Sequence, residues 1–190
     1  MIDLTFRDAT NVARLIATGE VSAVEALETS LARLNATEPR LNAFVTVLEA
    51  EARRDAQAAD VRRRQREPLG PLHGVPVSVK DLIAVGGAPY TLGSRSMAHN
   101  VAPADAAAIE RLRQAGAVII GKTTTSEYGC KAVGDSPLAG STRNPWDLSK
   151  TAGGSSAGAA ASVAAGVTAI AVGTDGGGSI RIPAALTGLV

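Results

Sequence analysis

The chain has 190 residues, of which 45% are hydrophobic and 19% are charged, a composition typical of a folded globular protein and not of a disordered one. Its 19 basic and 18 acidic residues give a net charge of +1, so no excess of positive charge favours nucleic acid or an anionic membrane as a partner. Cys130 is the only cysteine, which excludes a disulfide within the chain and favours a reducing, cytoplasmic location.

The first third of the sequence predicts helices. Ser22 and Glu25 have the spacing of a capping box, which marks the beginning of a helix. Apolar residues then recur on one face of that helix: Val24, Leu27, Leu31 and Leu34. A second, more polar helix is predicted within 48–67, and we expect it to lie outside the core. Residues 1–67 are therefore expected to form a helical N-terminal segment.

From residue 68 onward, short apolar strands alternate with helices. Strands are predicted within 74–83, over 117–120 and within 168–175, and helices are predicted within 105–116 and 156–166. Gly116 is expected to end the first of these helices. This alternation predicts an α/β fold with a mainly parallel mixed sheet covered by helices on both faces.

The end of the sequence bears on domain organisation. The last residues, ALTGLV, enter an apolar segment without a polar tail. We therefore expect residues 68–190 to be the start of an α/β core. On this interpretation, residues 1–190 are the N-terminal part of a single domain that is truncated here.

Two short motifs suggest functions that their context does not favour. GAVIIGKTT, from Gly116 to Thr124, fits the phosphate-binding loop G-x-x-x-x-G-K-[ST]. That loop needs a strand before its first glycine, whereas a helix is predicted there, and the residues from Ala117 to Ile120 are strand formers. A nucleotide-binding protein is thus a disfavoured alternative.

The second motif, GSSAG, fits the G-x-S-x-G turn of the α/β-hydrolases and would make Ser156 a nucleophile. That fold expects a histidine after the serine, but His73 and His99 both precede it. Together with Cys130, these histidines also lack the spacing of a metal site. We expect Cys130 to be a small buried residue and not a nucleophile.

A third pattern is more informative. Three consecutive glycines, Gly176 to Gly178, lead into Ser179 in the segment GTDGGGSIRIPAA. Such a turn allows a substrate to approach closely, and its N–H groups can converge near the serine hydroxyl as an oxyanion hole. A flexible turn with a capping serine is the structural alternative.

Five blocks in this order resemble the amidase-signature family of serine hydrolases: PLHGVPVSVKDLI, GAVIIGKT, GSTRNPWD, TAGGSSAG and GTDGGGSIRIPA. The resemblance spans most of the chain from about residue 69 onward. It implies the amidase-signature fold and an amidohydrolase that converts a small-molecule carboxamide to a carboxylate and ammonia or an amine. It also implies no cofactor, no metal and no bound nucleotide.

The resemblance assigns a role to each matched position. Ser179 corresponds to the nucleophile, Ser155 to a bridging serine that follows a cis peptide bond, and Lys80 to the base. A lysine can act as a base when burial lowers its pKa, and a serine hydroxyl needs such a base to become nucleophilic. The implied oxyanion hole comprises the amides of Gly176, Gly177, Gly178 and Ser179. The implied supporting residues are Ser156, Asp175 and Arg181.

The chain departs from the family's aminoacyl-tRNA amidotransferase A subunits at two positions. Those proteins carry threonine before two glycines and glutamine in IRQPA, whereas this chain has Gly176 and Ile182 there. The difference favours a free-standing amidase. An inactive truncated fragment and the A (glutaminase) subunit remain alternatives, and we expect exposed apolar edges to favour a homo-oligomer.

Overall fold

A computed structural model describes residues 2–190. The helices are α1 (Ala9–Thr18), α2 (Ala23–Leu41), α3 (Glu49–Arg64), α4 (Ala107–Gln114), α5 (Ala157–Ala164) and α6 (Arg181–Thr187). The strands are β1 (Phe44–Val47), β2 (Pro76–Lys80), β3 (Val118–Thr123), β4 (Asp135–Ser136), β5 (Gly140–Ser141), β6 (Arg143–Asn144), β7 (Asp147–Thr151) and β8 (Ile170–Val172). No helix within residues 2–190 has both the length and the hydropathy that crossing a membrane requires.

Four strands form the central sheet, in the order β1-β3-β2-β8. Strand β2 runs parallel to both β3 and β8, while β1 lies antiparallel to β3 at one edge. Two short hairpins, β4 with β5 and β6 with β7, lie outside this sheet and were not predicted. The α/β fold with a mainly parallel mixed sheet is therefore confirmed.

Helices cover both faces of the sheet, as the alternation of β2 shows. Ser78 points toward α5, where its hydroxyl lies 3.0 Å from the hydroxyl of Ser162. The next residue, Val79, points to the opposite face and packs against Ile109 of α4. Every residue of β2 is buried. Both faces of this strand are therefore covered by other parts of the protein, as expected for a strand inside an α/β sheet.

The predicted beginning of α2 is confirmed. The Ser22 hydroxyl accepts a hydrogen bond from the Glu25 amide at 3.0 Å, and the Glu25 carboxylate accepts one from the Ser22 amide at 2.8 Å. Leu27, Leu31 and Leu34 are buried on the inner face of the helix. The capping box thus places this leucine face against the core.

The second helix lies closer to the core than its polar sequence predicted. Ala52, Ala56 and Ala59 of α3 are buried, because alanine allows the helix to approach its neighbours closely. Asp60 is buried as well, and its carboxylate accepts hydrogen bonds from the first amides of α2, those of Ala23 and Val24, at 2.9 and 3.2 Å. The expectation that this helix lies outside the core was wrong for its alanine face.

Strand β1 also lies in the predicted helical segment, although the sequence did not predict it. Phe44 pairs with Thr123 and Thr46 with Lys122, so residues 1–67 contribute a strand to the same sheet as residues 68–190. The two parts therefore share one sheet and one apolar core.

Strand β3 is longer than the predicted 117–120. Gly116 ends α4 with a positive φ of 86°, as expected, and the strand then continues through Gly121 and Lys122 to Thr123. All six residues of β3 are buried. A phosphate-binding loop needs open backbone amides that wrap an anion, so this extended, buried strand contradicts the nucleotide-binding alternative.

Candidate active site

The candidate site lies at the edge of the sheet where its parallel strands end. Strand β2 ends at Lys80, and β8 ends at Val172 just before the glycine-rich segment 173–179. Because the carboxyl ends of parallel strands meet at one edge, these segments lie together, in the region where open α/β sheets bind ligands. The bend formed by residues 154–156, which precedes α5, comes to the same edge.

Lys80 is fully buried, with 0% of its surface exposed. Its Nζ donates hydrogen bonds to two hydroxyl oxygens, Oγ of Ser155 and Oγ1 of Thr174, each at 2.8 Å. Burial lowers the pKa of Lys80 to about 8, and the negative charge of Asp175 opposes that shift only in part. The pKa of Lys80 thus lies closer to neutral pH than that of an exposed lysine, at a site bounded by hydroxyl groups.

Ser155 and Ser156 connect the bend before α5 to the glycine-rich segment. The peptide bond between Gly154 and Ser155 is cis, as the family resemblance implied. The Ser156 hydroxyl donates to the carbonyl of Thr174 at 3.2 Å and accepts from the amide of Thr174 at 3.3 Å. The Ser156 amide donates to the carbonyl of Ser179 at 3.1 Å. Ser156 is therefore buried, and its hydrogen bonds join the bend before α5 to the glycine-rich segment. In this position its hydroxyl is not accessible as a nucleophile.

Asp175 organises the turn that carries Ser179. Its carboxylate accepts hydrogen bonds from the amides of Gly178, Ile180 and Arg181 at 2.7, 3.0 and 3.2 Å. The Arg181 guanidinium also bonds both carboxylate oxygens, at 3.0 and 2.9 Å. The side chain of Arg181 and these amides hold the pKa of Asp175 well below its usual range, so Asp175 stays ionised and fixes the turn.

The predicted oxyanion-hole amides are not equivalent. The Gly178 amide already donates to Asp175. Within residues 2–190, the amides of Gly176, Gly177 and Ser179 make no hydrogen bond, and Gly176 and Gly177 are exposed. Gly178 has a positive φ of 112°, and a Cβ there would lie 2.9 Å from Ile182. The turn therefore presents three open amides, and Gly178 provides its bend.

The structure brings Lys80 and Ser155 into direct contact but joins Ser179 to them only through its backbone. The Ser155 hydroxyl is bonded to Lys80. Among residues 2–190, the Ser179 hydroxyl makes no hydrogen bond, and Ser179 is half-buried in the turn before α6. That helix begins at Arg181, two residues after Ser179.

Two neighbours of this site were missed by sequence reasoning. Thr174 is one of them, since its hydroxyl is the second acceptor of Lys80. Gly129 lies against Ser155, where an added Cβ would be 3.3 Å from the serine Oγ. Neither contact has a local sequence signal, because 94 residues separate Thr174 from Lys80 and the Gly129 contact is made through backbone.

The remaining sequence candidates lie outside the cluster. Cys130 is exposed, so the expectation that it is buried was wrong. His73 is buried and bonded through Nε2 to the carbonyl of Ala59 at 3.0 Å, which is a structural contact. Residues 2–190 hold no group of three or more histidine, cysteine or acidic side chains that could bind a metal ion.

These observations define an α/β protein. Its candidate site is rich in hydroxyl groups and lies at the carboxyl edge of the parallel strands. A family model described as Amidase matches residues 25–190. The chain therefore belongs to the amidase family.

Individual relatives agree with this assignment. The chain is 49% identical to the A subunit of the glutamyl-tRNA(Gln) amidotransferase of Symbiobacterium thermophilum, over 96% of this chain and 38% of that protein. It is 45% identical to an acylamidase of Rhodococcus erythropolis, over 99% of this chain and 39% of that protein. A bacterial aryl acylamidase of the amidase signature family has the same fold, with a TM-score of 0.92 and 38% identity over 96% of this chain and 38% of that one. The chain thus spans about two fifths of the length of these relatives.

Proposed function

We propose that the protein is an amidohydrolase that converts a carboxamide to a carboxylate and ammonia or an amine, with Ser179 as nucleophile, Ser155 as bridging serine and Lys80 as base. The observation that carries this proposal is the 2.8 Å contact between Lys80 Nζ and Ser155 Oγ, made by a fully buried lysine. A small-molecule amide is the proposed substrate and the cytoplasm the proposed location.

The proposed proton relay follows the order of the three side chains. Neutral Lys80 accepts a proton from Ser155, which accepts the proton of the Ser179 hydroxyl as that oxygen attacks the amide carbon. This step requires the Ser179 hydroxyl to turn toward Ser155 when substrate binds, since catalytic hydrogen bonds are often incomplete in a ligand-free site. The proton then returns along the same path to the leaving nitrogen as the C–N bond breaks. An acyl ester on Ser179 remains.

The open amides of Gly176, Gly177 and Ser179 are the proposed donors to the tetrahedral oxyanion. Preorganised N–H donors of this kind contribute roughly 3–4 kcal/mol each to transition-state stabilisation. The Gly178 amide serves the turn through Asp175 and is not available in this conformation. Asp175 and Arg181, with Ser156, hold the turn in place. Water activated by the same base then hydrolyses the acyl ester and restores the serine.

Fluorophosphonate labelling followed by mass spectrometry tests the assignment of the nucleophile. The reagent phosphonylates an activated serine hydroxyl and releases fluoride, so we expect one adduct per chain, on Ser179. Ser179→Ala is expected to abolish labelling, and Lys80→Ala to reduce it by roughly 10²-fold or more because the base is lost.

Ser149→Ala is the matched control, because Ser149 is an exposed serine bonded to Asp147. It is expected to label at the rate of the unaltered chain. An adduct on another serine, or full labelling of Lys80→Ala, would refute the proposed relay.

A second candidate is the ammonia-producing A subunit of an aminoacyl-tRNA amidotransferase. The observation in its favour is the 49% identity to the A subunit of the glutamyl-tRNA(Gln) amidotransferase of Symbiobacterium thermophilum. In this case the same residues would release ammonia for a partner protein. The hydrolase remains our first proposal, because Gly176 and Ile182 depart from the pattern that the family resemblance implies for the A subunits. The side chain of Ile182 lies close to Gly178 of the glycine turn.

A further inference from the structure

Lys122, the lysine of the rejected phosphate-loop pattern, forms a buried ion pair that the proposed mechanism does not use. Its Nζ donates to Asp81 Oδ1 at 2.7 Å, and the two side chains are 0% and 1% exposed. Nζ also donates to the carbonyl of Pro89 at 3.0 Å and lies 5.4 Å from the ring centre of Tyr90. A buried ion pair is tolerated only when its remaining polar atoms are also bonded, and this pair meets that condition.

The ion pair lies next to Lys80, on the other face of strand β2. Asp81 follows Lys80 in the chain, and its amide donates to the carbonyl of Thr123 at 3.0 Å. Lys122 pairs with Val79 across the sheet, whereas Thr123 pairs with Lys80. Because side chains alternate along a strand, the ion pair and Lys80 lie on opposite faces of the same strand end.

From there the pair holds one loop against the sheet. The second carboxylate oxygen of Asp81 accepts hydrogen bonds from the amide of Thr91, at 3.0 Å, and from the Thr91 hydroxyl. Lys122 binds the same loop through the Pro89 carbonyl. Both charges are therefore used to fix residues 89–91.

This loop in turn supports the segment beside Ser155. The Tyr128 amide donates to the carbonyl of Leu92 at 2.8 Å, and the Ser94 hydroxyl donates to the carboxylate of Glu127 at 2.7 Å. Gly129, which follows Tyr128, lies beside Ser155, and a Cβ added to this glycine would be 3.3 Å from the Ser155 Oγ. Hydrogen bonds thus connect the ion pair through the loop to residues 127–129, which lie beside Ser155.

We propose that Lys122 and Asp81 are positioning residues that keep the hydroxyl of Ser155 aligned with Lys80. They fix the end of strand β2 from the opposite face of the sheet. Through the loop at residues 89–91, they also fix residues 127–129, which lie beside Ser155. This inference rests on the proposed function, in which Ser155 passes a proton to Lys80. Neither residue contacts a reacting atom. Their effect is on the geometry of the relay, where small displacements cost much of the rate.

The test replaces both charges together, by Lys122→Met and Asp81→Leu in one chain, so that no unpaired charge remains buried. The matched control is Lys131→Met with Asp135→Leu, which removes an ion pair of 3.0 Å whose side chains are 46% and 45% exposed. Thermal unfolding measures the folded fraction. Fluorophosphonate labelling of Ser179 is then measured per folded molecule between pH 6 and pH 10.

We expect the double variant at Lys122 and Asp81 to label roughly tenfold or more slowly per folded molecule. We also expect the midpoint of its pH profile to move upward, because looser packing lets water reach Lys80 and returns its pKa toward that of an ordinary lysine. The control pair is expected to change neither quantity. A purely structural ion pair would alter thermal unfolding and leave both quantities unchanged.

A second variant covers the case in which the double variant does not fold. Thr91→Val removes one hydrogen bond between the pair and the loop but keeps both charges, and we expect it to slow labelling and shift the midpoint in the same direction. Unchanged labelling in either folded variant overturns the positioning role while leaving the proposed function intact. If the unaltered chain does not label at Ser179, the proposed function fails and the positioning role fails with it.

Discussion

At the scale of single residues, the chemistry of the site depends on what surrounds Lys80. An exposed lysine is protonated at neutral pH and cannot accept a proton from a serine. Here complete burial lowers the pKa to about 8, and both acceptors of Nζ are uncharged hydroxyls. Asp175 opposes the shift only in part, because burial of Lys80 is the larger effect.

The first prediction concerns pH. Lys80 acts as a base only when it is neutral, and its lowered pKa makes the neutral form predominant above about pH 8. Labelling of Ser179 by fluorophosphonate should therefore rise roughly tenfold between pH 7 and pH 9 and then level off. The measurement is the labelling rate constant across this range at constant ionic strength.

Lys80→Arg provides the control for that profile, because arginine keeps its charge throughout the range. We expect this variant to label slowly and without the rise. A flat profile in the unaltered chain would argue against Lys80 as the titrating base.

At the scale of elements, strand β3 explains why the phosphate-loop pattern occurs without its function. Gly121, the second glycine of the pattern, lies close to the neighbouring strand β1. A Cβ added to Gly121 would be 2.5 Å from the carbonyl oxygen of Thr46. Lys122 is held by Asp81. The glycine thus serves strand packing and the lysine serves an ion pair.

The second prediction follows from this packing. Gly121→Ala should destabilise the chain by about 1–3 kcal/mol, because β1 must move to admit the methyl group. Urea unfolding measures the difference. Gly176→Ala is the control, since a Cβ at that position meets nothing within 4 Å, and its free energy of unfolding should match that of the unaltered chain. Equal stabilities for the two variants would show that β1 is not packed closely against β3.

At the scale of the whole molecule, one sheet edge collects segments that are far apart in the chain. Lys80, the bend at 154–156 and the turn at 175–179 meet there because β2 and β8 are parallel and adjacent. The chain covers 38% of the Symbiobacterium relative. The three side chains of the proposed relay all lie within this part of the family's length.

The third prediction separates the two proposed functions. The protein is purified with an affinity tag from its native context, and ammonia release is measured with a panel of primary carboxamides that includes glutamine. A free-standing amidase should release ammonia without partner proteins. Release from glutamine alone, and only in a stable complex with other proteins, would instead favour the amidotransferase. The Ser179→Ala protein gives the background for both.

Much of the fold could be predicted from local patterns. The capping box at Ser22, the leucine face of α2 and the glycine that ends α4 each follow from spacing within a few residues, and the structure confirms them. The alternation of strands and helices likewise predicted a mainly parallel sheet. Strand β1 escaped prediction because four residues between two helices carry little periodic signal.

The sequence by itself determined the alternation of the main helices and strands from residue 68 onward, because that alternation depends on local residue patterns. Through its resemblance to the amidase-signature family, it also determined the family and the identity of the candidate residues. Only the tertiary structure decided which side chains meet. Lys80 contacts Ser155 and Thr174 across 75 and 94 residues, and Asp81 binds Lys122 across 41. Burial, hydrogen-bond partners and the pKa of Lys80 all arise from these long-range contacts, which no local pattern encodes.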